Sequence, residues 1–341
     1  MKKVIDSFFY ILLITVCCNC SQHITTEKHQ GERDKIVNVH DKVKEIVIED
    51  VLIGQYSQPH LIDNYLLIND YRSPDEYIHL FDKKTFKYLT STAYKGEGPD
   101  EITVIGHIGI DEAKRKFYAT DHGKLKIFSF ALDSVLANPL YTPQVKMSLK
   151  NKEFPSEYYY INDTLCFAVI VKPTGDYGFN QAVAKWNMTT GEIKPFKYAH
   201  PEVEKMRVSI AVSVEDNICV ECFHHHDLMT ICTLDGDLKY NIYGNKWNNK
   251  KTNDVRYYND VVICGNKIIA ATSLGRDNFG KEYLATTFLV FDLEGNYLQT
   301  LETGYQIVCF CYDKEYNRII MVLDDDIQFA YLDLDGVVDV K

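Results

Sequence analysis

The chain has 341 residues, a net charge of −11, 46% hydrophobic and 25% charged residues, ordinary proportions for a globular protein. The acidic balance argues against a nucleic-acid or other phosphate-binding surface, which needs clustered Lys and Arg. The 24 Tyr and 17 Phe favour strands, whose pleated faces suit aromatic side chains, and the length allows two average domains or one large all-β domain.

At the N-terminus, Lys2 and Lys3 precede an apolar run, residues 7–16, and then Cys17, Cys18 and Cys20. The run is too short to cross about 30 Å of hydrocarbon as a helix. Charge, a short apolar core and small residues predict an export signal over residues 1–20, with Asp6 its untidy feature. The cysteine cluster resembles the lipobox of bacterial lipoproteins, in which a thiol receives a diacylglycerol group before cleavage. Val16 is bulky beside Cys17, so Cys18 or Cys20 is the expected lipidation site. Several acyl chains anchor firmly, at about 0.8 kcal/mol per buried methylene. The expected location is the outer membrane or cell surface, with a periplasm-facing orientation as the alternative. Residues 21–35 lack apolar periodicity, and 21–40 is expected to be a flexible tether, with the folded domain spanning 41–341.

Beyond the tether, turn signals recur at Asp82, Ser129, Asn187, Thr233, Asp292 and Asp333, roughly every 50 residues. Two strand candidates precede each: 61–69, 107–120, 158–171, 209–223, 261–273 and 307–323. Residues 202–208 suit one short turn of helix. Six hairpin-rich modules of three or four strands do not make a good sandwich. They fit radial repetition, in which neighbouring blades protect each other's faces. The expected fold is all-β, a six-bladed β-propeller of four-stranded antiparallel blades, against an alternative of two packed all-β domains. Residues 46–53 and 337–340 are the candidate strands for closing the ring.

The clearest module is 95–130. Gly96-Glu97-Gly98-Pro99-Asp100-Glu101, Gly109-Ile110-Asp111, Phe117-Tyr118-Ala119-Thr120-Asp121 and Lys126-Ile127-Phe128 resemble the repeat of NHL-type propellers. They resemble more closely the six-bladed, TolB-like propeller lipoproteins of Gram-negative commensal bacteria. The motif covers one blade; the others agree in period and turn placement. The resemblance implies fold and export, and no established activity. The glycine-rich loop is no P-loop, for it lacks the G-K-[ST] ending and a following helix; its expected role is a tight link between blades.

In a four-stranded blade, the links between blades and the turns from second to third strand share one face. Those corners are longer and more varied here than the short turns of the opposite face. Variable polar loops on a rigid frame are where binding usually sits. The expected ligand-binding face therefore carries Arg72, Lys95, Glu97, Asp121, His122, Tyr177, Arg276 and Asp325. Tyr56, Tyr71, Tyr94 and Phe279 stand near these corners, where they could stack on sugars or pack on peptides, or simply close strand ends.

For metals, strand alternation would align Cys222, His224 and His226 at roughly 7 Å steps, three ligands with an open fourth position as in catalytic zinc sites. The plain alternative is packing histidines and a core thiol. Asp324, Asp325 and Asp326 with Asp277 and Asp121 raise calcium, without the D-x-D-x-D-G loop. No cofactor is expected; Zn or Ca is the exception to test. Cys219 and Cys222 have C-x-x-C spacing, a weak signal alone. No G-x-S-x-G elbow is present. The expected function is a lipid-anchored cell-envelope binding protein, non-catalytic, whose partner is an envelope protein, peptide or glycan. The alternative is a channel-centred metal-dependent hydrolase or lyase, which the innermost strands disfavour because 106–110, 261–264 and 307–311 read as apolar and cysteine-rich.

Overall fold

The structure, a computed structural model, describes residues 25–138, 140–149, 154–175, 178–203, 207–250, 254–280 and 283–340. The proposed lipidation sites Cys18 and Cys20, and Tyr177, lie outside these residues. Blade 1 comprises Ser57–Ile62, Tyr65–Asp70, Glu76–Asp82 and Tyr88–Tyr94, paired antiparallel in that order. Residues 105–148, 154–195 and 208–243 repeat this arrangement as blades 2, 3 and 4. Blade 5 comprises Val255–Cys264, Lys267–Asp277, Ala285–Asp292 and the first half of the long strand Tyr297–Asp313, whose second half opens blade 6 ahead of Arg318–Leu323 and Phe329–Asp333. Strands are named A to D here, from the channel outward.

Turn chemistry explains the regular punctuation. Asp82 accepts the Thr85 N–H, Asn187 accepts those of Thr189 and Thr190, and Asp292 accepts those of Glu294 and Asn296. Short polar side chains that bond their own backbone a few residues on favour turns over continued strand. Ser129 and Asp333 are the exceptions among the described residues, Asp333 accepting from Lys44 instead. Strand C of blade 2 runs into a short helix, Leu132–Ala137, which buries Leu132 and Val135. Helix therefore forms there, whereas the described part of 202–208 contains none.

Between blades, apolar side chains form six clusters, and each straddles one pair of neighbours. Blades 6 and 1 meet through Ile320, Val322 and Phe329 against Leu66, Ile68 and Phe81. That sixth interface closes the ring and excludes two separate domains. Gly109 shows how tightly the sheets approach, since a Cβ there would stand 2.2 Å from the Tyr158 ring.

The N-terminal segment departs from the expected tether. Glu27–His29 pairs parallel with the outer strand of blade 4 and Ile36–Asn38 pairs parallel with that of blade 5. Val43–Glu45 then supplies strand D of blade 6. The clasp is thus 43–45 on Phe329–Asp333, and residues 337–340 instead pack as an irregular tail, with Val338 in the same cluster as Val39. This arm covers three strand edges that would otherwise offer unpaired N–H and C=O groups. Arg33 fastens it. Its guanidinium donates to Asp227 at 2.9 Å and to the Tyr258 hydroxyl at 3.3 Å, in a pair whose side chains are 8% and 4% exposed.

Candidate binding face and central channel

The two faces of the ring differ in character. On the face of the A–B and C–D turns, ion pairs join neighbouring blades: Arg115 with Asp63, Lys83 with Asp313 and Glu315, Lys146 with Asp163, and Lys185 with Asp235. On the opposite face, the B–C corners and blade links expose Leu52, Tyr56, Tyr71, Val104, Leu125 and Phe279, the last 77% exposed. The expected binding face is this second one.

Its predicted residues divide by role. Asp121 is buried, and its carboxylate accepts the N–H groups of Thr103, Val104, Gly123 and Lys124. It ties a corner to the incoming link, with both oxygens already accepting backbone N–H groups. Asp70 does the same through Gly54 and Arg72, and Asp325 through Gln306 and Asp326. Asp121→Ala is expected to cost about 2–4 kcal/mol, because buried N–H donors lose a charged acceptor; a urea titration measures it. The glycine-rich loop is turned by Glu101, which folds back to accept the Gly98 N–H at 2.8 Å. A Cβ at Gly96 would collide with that carboxylate.

Of the others, Arg72 lies over the Tyr56 ring at 3.9 Å, and Lys95 donates to the Ser73 carbonyl while facing Tyr77. Glu97 is exposed at the loop tip. His122 is half-buried against Gly106 and Phe154, and burial lowers its pKa. Arg276 reaches the Leu284 carbonyl and Thr286.

The zinc alignment does not form. Strand B of blade 4 ends at Phe223, so the two-residue alternation stops before the histidines. Cys222 packs in the core between blades 4 and 5. His224 meets Ser209 at 2.9 Å, whereas His226 meets the Asn248 carbonyl at 3.2 Å. Cys219 lies in the cluster between blades 3 and 4, because residues three apart on a strand face opposite ways, and both thiols are free. Asp121, Asp277 and Asp325 belong to three different blades and each holds backbone N–H groups of its own corner or link. Among the described residues, no group of three or more His, Cys, Asp or Glu is placed to hold a metal.

The channel is more polar than its apolar stretches imply. Glu157, on strand A of blade 3, and Asp260, on strand A of blade 5, interact across it. Burial, then the Asp260 charge, pushes Glu157 up to about 8, and nothing offsets the rise. Asp260 is pushed up to about 6 by burial, against the N–H groups of Val261 and Phe310. Tyr71 and Tyr159 sense both carboxylates, and burial raises their phenols first. Each nevertheless keeps 38% of its surface, as side chains do around an open channel. The Tyr71 hydroxyl donates to Gln58 at 2.7 Å. Burial depresses His60 to about 3 and His107 to about 4, and the His60 Nε2 and Asn69 Oδ1 are buried without partners. Sequence reading missed Glu157 and Asp260. The available signal was a lone carboxylate inside each aromatic strand run, SEYYY and YYNDVV.

No curated protein sequence matches this chain. Solved structures that resemble it include a protein described as exported from Bacteroides fragilis, with 10% identity, TM-score 0.55 and coverage of 90% of this chain and 98% of that one. A member of the DUF4221 family from Bacteroides vulgatus has 12% identity, TM-score 0.54 and coverage of 86% and 98%. The calcium-binding protein regucalcin from Agrobacterium tumefaciens has 10% identity, TM-score 0.53 and coverage of 87% and 95%. At such identities the likeness concerns fold alone. Residues 47–168 match the family model DUF5128, described as a 6-bladed beta-propeller, and with six blades closed by six packed interfaces the chain is a six-bladed β-propeller.

Proposed function

We propose that the protein is an exported cell-envelope propeller, lipid-anchored through Cys18 or Cys20, that binds a peptide, glycan or envelope protein without transforming it. The observation that supports this most is the asymmetry of the faces. Inter-blade ion pairs lie on one, and the exposed aromatic side chains Tyr56, Tyr71 and Phe279 stand on the other. Exposed apolar side chains rimmed by polar loops mark interaction sites. The test is a screen of the full chain on peptide and glycan arrays. Tyr71→Ala with Phe279→Ala is expected to weaken any captured ligand about tenfold or more, the effect of removing aromatic anchors, while Lys194→Ala on the opposite side leaves it unchanged. Equal binding by both variants would remove this face from consideration. Mass spectrometry of the mature N-terminus tests the anchor.

A second reading has one observation in its favour. Glu157 and Asp260 are two carboxylates with different pKa values in one channel, the arrangement used for general acid–base work. A turnover found with any array ligand, and abolished by Glu157→Gln, would move the protein to the hydrolase or lyase class.

A further inference from the structure

Three arginines gather where blades 3, 4 and 5 meet on the corner-and-link face. Arg256, on strand A of blade 5, is directly opposite Arg276 on strand B. Opposed residues of an antiparallel pair point to the same face about 5 Å apart, and like charges there are destabilising. Arg207, at the start of blade 4, adds a third positive charge, and its guanidinium lies 4.7 Å over the Phe179 ring. Phe179 is itself part exposed, so this edge of the cluster is open to solvent.

Among the described residues these charges are not spent on acids: no ion pair joins Arg207, Arg256 or Arg276 to a carboxylate. The nearby Asp277 instead accepts the Phe279 N–H, and Arg276 uses its donors on Leu284 and Thr286. The Arg256 Nε is closed off from solvent and has no hydrogen-bond partner. An unpaired buried N–H of a cation is costly. In a chain of net charge −11, arginines gathered with no carboxylate partner among the described residues suit an external anion. Ser209 donates to the Asn259 carbonyl and therefore receives the His224 Nε2–H, which sets that ring beside the cluster. Burial and the two arginines Arg256 and Arg207 keep His224 neutral, and burial with Arg207 lowers Arg256. A bound anion would relieve both effects.

We infer that Arg207, Arg256 and Arg276 form an oxyanion-binding site, which takes a carboxylate, sulfate or phosphate group in the fork of Arg256. A planar guanidinium matches such groups with two parallel N–H donors. The site deepens the reading of this face as a binding face; Arg276 leads directly into the corner that carries Phe279, whereas Tyr71 belongs to blade 1.

The test is calorimetry and thermal melting of the full chain with sodium sulfate, phosphate or acetate, against sodium chloride at equal ionic strength. Glucose 6-sulfate and glucuronate serve as arms in which the charge belongs to a larger molecule. The expected result is saturable binding and a rise in melting temperature absent with chloride. Arg256→Gln is expected to weaken binding about tenfold or more, as loss of a charge-assisted hydrogen bond does, and Arg207→Gln to weaken it less. Arg256→Lys keeps the charge without the fork and separates geometry from charge, and it should bind as poorly as Arg256→Gln. Tighter binding of the sugar-borne anions assigns the site to a glycan group, and equal binding assigns it to the free ion. No oxyanion-specific binding, or binding unaltered in a folded Arg256→Gln protein, overturns the inference. Array binding lost in Tyr71→Ala with Phe279→Ala but kept in Arg256→Gln would leave the function above standing while this site falls.

Discussion

A chain shortened to begin at Asp41 is expected to melt at least about 10 °C below the full chain, or not to fold. The sequence-based boundary between tether and domain falls there, so the experiment separates a tether from a structural belt. Removing the arm leaves Asp227 buried without Arg33, which costs about 3–5 kcal/mol when one partner of a buried pair is lost. It also removes Val39 from the cluster between blades 5 and 6, worth about 1.5–3 kcal/mol for full burial of such a side chain. Two parallel strand pairings disappear as well. In a domain this large, each kcal/mol moves the melting point by about 2–4 °C. Arg33→Met should reproduce the part owed to the ion pair, and Arg33→Met with Asp227→Asn should recover most of it. A melting point for the shortened chain within about 2 °C of the full one would mean the belt contributes nothing.

The second large effect is a loss of stability between pH 6.5 and 8, traced to Glu157 and Glu221. Both are pushed up to about 8, by burial in each case and for Glu157 also by Asp260. Across this window the folded chain holds protons on them that the unfolded chain has released. Stability is therefore fully present below the unfolded carboxylate range and is lost as pH rises toward 8. Each such proton contributes about 1.4 kcal/mol per pH unit at most. Glu157 contributes less than Glu221, because water in the channel screens it whereas Glu221 is 5% exposed. Below pH 6.5 the sign reverses for the histidines. His60, His107 and His224 are held neutral by burial, down to about 3, 4 and 3, so stability falls as they are forced to charge. The profile should peak near pH 6 to 6.5, within the window these shifts define. Glu221→Gln should flatten the alkaline slope most, and Glu157→Gln less. An unchanged slope in both variants would show that these carboxylates do not hold their protons in the fold.

Much of the fold was legible because it rests on local chemistry. Alternating runs bounded by Asp82, Asn187 and Asp292 declare strands and turns whatever surrounds them, since the side chain bonds its own backbone. The arm was illegible for the converse reason. Glu27–His29 joins blade 4 through backbone hydrogen bonds and a polar contact of Glu27 with Asn241, and Lys28 reaches Asn296 of blade 5. Such a strand needs no apolar alternation, so its composition matches that of a tether. The aligned Cys222, His224 and His226 failed at a strand end that single-sequence spacing does not reveal.

Taken alone, the order of residues determined an all-β chain of six repeated modules and which loops share a face, because hydrophobic period and turn chemistry act within a few positions. Tertiary structure alone decided that Glu157 meets Asp260, that Arg33 meets Asp227, and that Arg207 stands near Arg256. These partners are dozens to hundreds of positions apart. The closed ring brings them together, and the low-dielectric surroundings that raise or lower their proton affinity exist only once it has closed.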